Sequence, residues 1–223
     1  MTDKKYCFSG KNYDSNFLKT SFLRGMAFGK SVVDFDTATA IMSVKNKNDV
    51  LLAVKKAYID MSPRTFKGLK QTNAWKEGKA KIFDWLANQF LDYFENGWGD
   101  FDKRHEELCD EFLKKFGKLL KEHGCVPETH LKYGKAQKIV NMTFKYLFCF
   151  DDAKSDDFNL CHMPVDSYIL KWYKDISGNR LKNCWSNLEK DEYQQIQNKI
   201  KELLGDGFTP LKAEFYIWAE YNH

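Results

Sequence analysis

An all-α or nearly all-α fold is predicted by three features of the sequence. Apolar residues recur at i, i+3 and i+4 through most of the chain, strand-type alternation is nearly absent, and only four prolines interrupt the 223 residues. A hydrophobic content of 43% gives such a chain enough apolar surface for one globular helical domain over 1–223, in one lobe or two.

The elements follow in order. Val32, Val33, Thr37, Thr39 and Ile41 gather β-branched residues over 30–43, where a minor N-terminal β-hairpin is expected. A first helix runs over 48–60, with Asn48 or Asp49 as its cap and Pro63 beyond its end. From Ala74 to Phe94 the stripe Ile82, Phe83, Leu86, Phe90, Leu91 and Phe94 predicts a second. Leu108, Phe112, Phe116, Leu119 and Leu120 predict a third from Asp102 to His123, stopped by Gly124. Ala136, Val140, Phe144 and Leu147 mark a fourth over 134–150. Met163-Pro-Val-Asp166 opens a fifth that ends near Asp175, Asp191–Leu204 forms a sixth, and Pro210–Tyr221 a seventh with Leu211, Phe215 and Trp218 on one face. The segments near 61–73, 95–101, 124–132 and 151–162 are left as loops, the usual carriers of function.

Composition narrows the function classes. Lys plus Arg exceed Asp plus Glu by 35 − 31, a net charge of +4 that is too small for a polycationic binder. No apolar run approaches the ~18 residues of a membrane span. The start, Met1-Thr-Asp-Lys-Lys5, leads into no signal core, so a cytoplasmic protein is expected. The six cysteines include no Cys-x-x-Cys pair and read as reduced thiols. No nucleotide-binding glycine loop, nucleophile elbow or His-Glu-x-x-His occurs, so neither cofactor nor metal is expected. The aromatic share of 16% suits an aromatic core, a stacking surface, or both.

Two segments carry the candidate chemistry. The first joins Leu131-Lys-Tyr-Gly-Lys-Ala-Gln-Lys138, through a helix and a loop, to His162-Met-Pro-Val-Asp166. The second is Pro63-Arg64-Thr-Phe66-Lys67-Gly-Leu-Lys70 with Trp75 following, where cations interleaved with rings suit a nucleic-acid backbone and a stacked base. Each has a plainer reading. Pro164 and Asp166 fit a helix start on capping and dipole grounds alone. Lys135, Lys138, Asn141 and Lys145 recur as a solvated helix face would, and Gln137 and Asn141 either read a base edge or face water. Trp98, between two glycines, is a wedge or a plug; Trp172, Trp185 and Trp218 are expected in the core.

The 131–170 stretch resembles the active-site half of the helix-hairpin-helix base-excision DNA glycosylases, closest to the archaeal 8-oxoguanine glycosylase branch. The family hairpin usually reads Leu-Pro-Gly-x-Gly-x-Lys; Gly134 and Lys138 match its glycine and lysine, and Pro164-Val165-Asp166 matches its aspartate segment. The resemblance implies a hairpin and catalytic-helix segment over 131–175 and excision of a flipped, modified base from double-stranded DNA by a monomer. It makes Asp166 the essential carboxylate and Lys138 the nucleophile, with Lys135 as its rival. Gly134, Lys135 and Gln137, together with Arg64, Lys67 and Lys70 of the basic loop, are the expected nucleic-acid-binding residues. The chemistry fits these residue types: a carboxylate stabilises the sugar cation that develops at C1′, and a deprotonated lysine amine can attack it. Lysines three residues apart lower one another's pKa. Two other classes stay open: a non-catalytic helical protein that binds nucleic acid or a protein partner, and a small-nucleotide binder using the same lysines on a phosphate.

Overall fold

The computed structural model describes residues 47–126, 131–150, 156–179, 181–204 and 208–221. Among these the fold is all-α, without strands. Its helices are α1 (Lys47–Asp60), α2 (Asn73–Asn96), α3 (Phe101–Glu122), α4 (Tyr133–Phe150), α5 (Ser167–Ser177), α6 (Lys190–Leu204) and α7 (Pro210–Tyr221). Among the described residues no helix is long and apolar enough to cross a membrane. The expected hairpin at 30–43 lies outside the described residues.

Local chemistry sets the helix starts. The Thr72 hydroxyl accepts the Trp75 N–H at 3.2 Å to open α2, and the Asp100 carboxylate accepts the Lys103 N–H at 3.2 Å to open α3. The fifth helix begins four residues later than the sequence suggests. Residues 161–166 are extended, Pro164 lies inside that strip, and Asp166 is the cap of α5. The strip stays extended because two buried glutamines pair with its backbone. Gln197 accepts the Met163 N–H at 3.2 Å and donates to the Met163 carbonyl at 2.7 Å; Gln137 does the same for Val165 at 3.1 and 2.8 Å. Each amide side chain supplies what a neighbouring strand would.

Helix α4 is the axis of the structure. It packs against α1, α3, α6 and the 3₁₀ turn Trp185–Asn187, and every side chain from Tyr133 to Cys149 is buried. The solvated face expected at Lys135, Lys138, Asn141 and Lys145 is therefore an interior one. Periodicity located the apolar stripe correctly, but the four polar residues are covered as well: Lys135 by the turn after α1, Lys138 by the start of α5, Asn141 by α3 and α6, and Lys145 by α7.

The aromatic residues go mostly to the core. Trp98 is a plug: it stacks on Phe101 at 6.0 Å and contacts Phe144 and Phe158. Phe66 and Trp75, expected as stacking partners for a base, are buried and pack edge-on or tilted against Phe116. Trp172 is fully buried, whereas Trp185 and Trp218 are only partly so.

Gly134 is fixed by packing. A Cβ there would stand 1.9 Å from the Trp185 carbonyl oxygen, and the Gly134 N–H already donates to the Leu188 carbonyl at 3.0 Å. This amide is spent inside the protein, so where a nucleic-acid contact is expected of Gly134 the structure has a close helix–turn contact. Gly134→Ala should lower stability by about 1–3 kcal/mol by overpacking, although alanine is the better helix former by roughly 1 kcal/mol. Chemical denaturation checks the sign.

Candidate functional site

Lys138, Met142 and Lys145 stand at i, i+4 and i+7 on α4 and face one cavity of about 550 Å³. The start of α5 brings Asp166 and Tyr168, the end of α1 brings Asp60, α7 brings Glu214 and Trp218, and Trp185 and Arg64 complete the wall. The volume lies within the range of small-ligand pockets.

Lys138 and Asp166, 28 residues apart in sequence, meet here. The Lys138 Nζ donates to Asp166 Oδ2 at 2.8 Å, with side chains 6% and 15% exposed. Asp166 Oδ1 accepts the Tyr168 and Ile169 N–H groups at 2.9 and 3.0 Å. One carboxylate thus caps a helix and binds an ammonium. Burial alone would raise the Asp166 pKa, but the Lys138 charge and hydrogen bond and the Ile169 amide outweigh it and hold it low. Burial likewise works against the Lys138 ammonium, and Asp166, with Glu214 and Asp60, more than offsets it. The resting pair is charged. The lowered pKa expected of this lysine from crowding by Lys135 is not what the structure gives.

Lys135 points elsewhere. Its Nζ donates to the Met61 carbonyl at 3.0 Å and the Thr65 hydroxyl at 2.9 Å, and sits 5.0 Å from the Phe66 ring centre. It braces the turn that follows α1 and does not line the cavity, so neither nucleophile nor nucleic-acid contact suits it. That turn contains Ser62 in the left-handed region at φ 59°, which is unusual for serine, at the cavity edge. The turn carries Arg64 into the cavity wall, while Lys67 and Lys70 lie beyond it, exposed. The Lys67 carbonyl accepts the Val126 N–H, and the Lys70 N–H donates to the His123 carbonyl, which fastens this basic loop to the end of α3.

Deeper in the cavity Lys145 forms an ion pair with Glu214, both essentially without solvent contact. Burial pushes the Glu214 pKa up and the Lys145 pKa down, and their mutual attraction only partly offsets it. Lys145 also lies 5.6 Å from the Trp218 ring centre. Asp60 accepts the Tyr146 hydroxyl at 2.8 Å, and burial raises its pKa against the lowering influence of Lys138. Sequence reasoning missed Asp60, Glu214 and Trp218 as site residues. Glu214 had a signal: it stands three residues from Leu211 and four from Trp218, a carboxylate inside an apolar stripe.

On the other side of α4 a hydrogen-bonded chain backs the site. Gln137, which is buried and touches no solvent, holds Val165 next to Asp166; its carbonyl also accepts from Asn141 at 3.0 Å. Asn141 donates to the Tyr193 hydroxyl at 2.8 Å and bonds His105 at 2.8 Å, and Tyr193 meets His162 at 2.9 Å. His162 reaches Asp102 at 2.7 Å. Both imidazoles are pushed toward the neutral form by burial. The contact reading expected of Gln137 fails; it is a clamp on the segment that carries Asp166. A second cavity of about 510 Å³ opens at His162, where Asp100, Asp102, Glu106 and Glu107 outnumber Lys103, a balance of charge that disfavours phosphate. Among the described residues no group of three His, Cys, Asp or Glu is placed to hold a metal ion.

No family model, curated protein or solved structure matches the chain.

Proposed function

We propose that the protein is a DNA glycosylase that removes a modified base from double-stranded DNA by cleaving its N-glycosidic bond, acting as a cytoplasmic monomer. The meeting of Lys138 and Asp166 in one cavity carries this reading, because the resemblance that named both residues required them to come together. The flipped base would enter beside the indoles of Trp185 and Trp218, where stacking is worth ~1–3 kcal/mol. Asp166, held anionic, would face the cation developing at C1′. Lys138 would attack C1′ and make the enzyme bifunctional. Where it only positions substrate, water near Asp166 completes the reaction. Arg64 on the wall and Lys67 and Lys70 beyond it would follow the DNA backbone toward the cavity.

The test is incubation with duplexes carrying a panel of modified bases, 8-oxoguanine among them, with and without borohydride. Base release together with a trapped covalent adduct, lost in Lys138→Gln, is the expected result. A wild-type protein that releases no base across the panel would exclude the reading and favour a non-catalytic binding protein. The basic loop has its own measurement. Duplex affinity should fall with salt by about 0.9 log units per log unit for each phosphate contacted. Replacing Arg64, Lys67 and Lys70 with alanine should flatten that dependence without lowering the melting temperature, and an unchanged slope would remove the loop from the interface.

A further inference from the structure

Attack by Lys138 needs a base, and besides Asp166 the cavity holds two further carboxylates, Asp60 and Glu214. The nucleophile rests as an ammonium, and an ammonium has no lone pair with which to attack. Asp166 is badly suited to take its proton. Its oxygens are occupied by two backbone N–H groups and by Lys138, and protonation would erase the charge needed opposite the sugar. Glu214 is committed to Lys145. Asp60, on a different helix, lines the same cavity and its charge interacts with Lys138. Its carboxylate is fixed through Oδ2 by the Tyr146 hydroxyl at 2.8 Å.

We infer that Asp60 is a catalytic acid–base residue, carrying the proton of Lys138 to the departing base; the inference rests on the glycosylase reading. In this step one proton passes from the Lys138 ammonium through a bridging water to the Asp60 carboxylate, which shares the cavity with Lys138 but is not hydrogen-bonded to it. The freed amine lone pair bonds C1′ as the C1′–N bond breaks, and that bond's electrons leave with the base. The base then takes the same proton from the Asp60 carboxyl group. Asp60 ends as the carboxylate it began as, and the positive charge stays on the nitrogen now bonded to C1′. The division of labour between two carboxylates follows from their surroundings: burial favours a proton on Asp60, and the cap and ion pair keep one off Asp166. The groups that face Asp60 are consistent with a shuttle. Lys138, Lys145 and Tyr146 of α4 favour its anion, while Asp166 opposes it. Lys56 of its own helix feels its charge, and Arg64 and Glu214 share the cavity wall.

The experiment is single-turnover base release from the duplex that wild type processes best. Asp60→Asn keeps the shape of the side chain and an acceptor for Tyr146. It should slow base release and borohydride trapping together by about 10²-fold, with duplex affinity unchanged. Formate should restore part of the rate, and the variant's rate should climb with pH where wild type is level, because its lysine must then lose a proton to solvent. Tyr146→Phe keeps the carboxylate but removes a hydrogen bond that favours the anion, so the acid limb of its profile should move to higher pH. It serves where Asp60→Asn does not fold. An active wild type whose Asp60→Asn variant stays within twofold, with an unaltered pH profile and no formate effect, overturns the shuttle alone. An unmoved acid limb in Tyr146→Phe does the same. A wild type without base release on any duplex overturns the glycosylase reading, and the shuttle with it.

Discussion

Asp166→Asn should slow base release by 10²–10³-fold while duplex binding stays intact or tightens. The rate loss is what removal of one preorganised charge opposite a developing cation costs. Binding is spared because the change takes an anion away from the phosphates. Stability must be followed in parallel, since Asp166 also caps α5. Asparagine keeps an acceptor for the Tyr168 and Ile169 amides, so the cap largely survives. What is lost is the counter-charge of Lys138, whose side chain is 6% exposed, and stranding a buried ammonium costs about 3 kcal/mol. The pH dependence separates this from other causes. Asp166 has a lowered pKa in the folded protein, so its contribution is present above the ordinary carboxylate range and fades as pH falls through the folded value. Lys138 has a raised one, so its contribution is present below the ordinary lysine range and fades as pH rises through the folded value. The stability deficit of Asp166→Asn should therefore be widest between those limits and narrow at either end. Assays run below the variant's melting temperature then read chemistry alone. If its rate per folded molecule equals that of wild type there, Asp166 is a cap and ion-pair partner only, and the active site lies elsewhere.

The helices were legible because each carries an apolar stripe that must find a partner, and a stripe reports its own period. The contents of the opposite face were not. On α4 the sequence Lys135, Lys138, Asn141, Lys145 has the spacing of a wet surface, and nothing local says that five other segments close over it. The structure separates these four residues by the partners they meet. Lys135 goes to the carbonyls after α1, Lys138 to the cap of α5, Asn141 to Tyr193 and His105, and Lys145 to Glu214. Pro164 suits a first turn and so predicts an early start for α5; two glutamines, at 137 and 197, hold the strip out of the helix instead, a long-range pairing that no window of sequence contains. Asp60 carried no signal, since an acidic residue at the end of a helix looks like surface. Lys138 and Asp166 enter the candidate site because a resemblance names both, and each alone has an ordinary reading.

Lys145→Met should destabilise the protein by about 3–5 kcal/mol, and Glu214→Leu by a similar amount, whereas the two together should come close to wild type. Each single change leaves one buried charge without its counter-ion. The double change removes both desolvation costs and replaces them with apolar contacts beside Phe215 and Trp218. The pKa directions support the expected recovery. The raised Glu214 pKa opposes folding above the ordinary carboxylate range and the lowered Lys145 pKa opposes it below the ordinary lysine range, so at neutral pH burying both charges works against the fold. Chemical denaturation of the four species measures the coupling directly. A double variant as unstable as Lys145→Met would make the pair a structural element. If the double variant instead regains stability, the same protein decides why the charges are there. They lie beneath the floor of the cavity near Trp218, without solvent contact, so an entering base would use the ammonium and carboxylate as donor and acceptor only by displacing part of the packing over them. The stable double variant should then retain duplex affinity yet release base at least tenfold more slowly, and its preference among the modified bases should weaken. Full activity with unaltered preference would show that the base never reaches this floor.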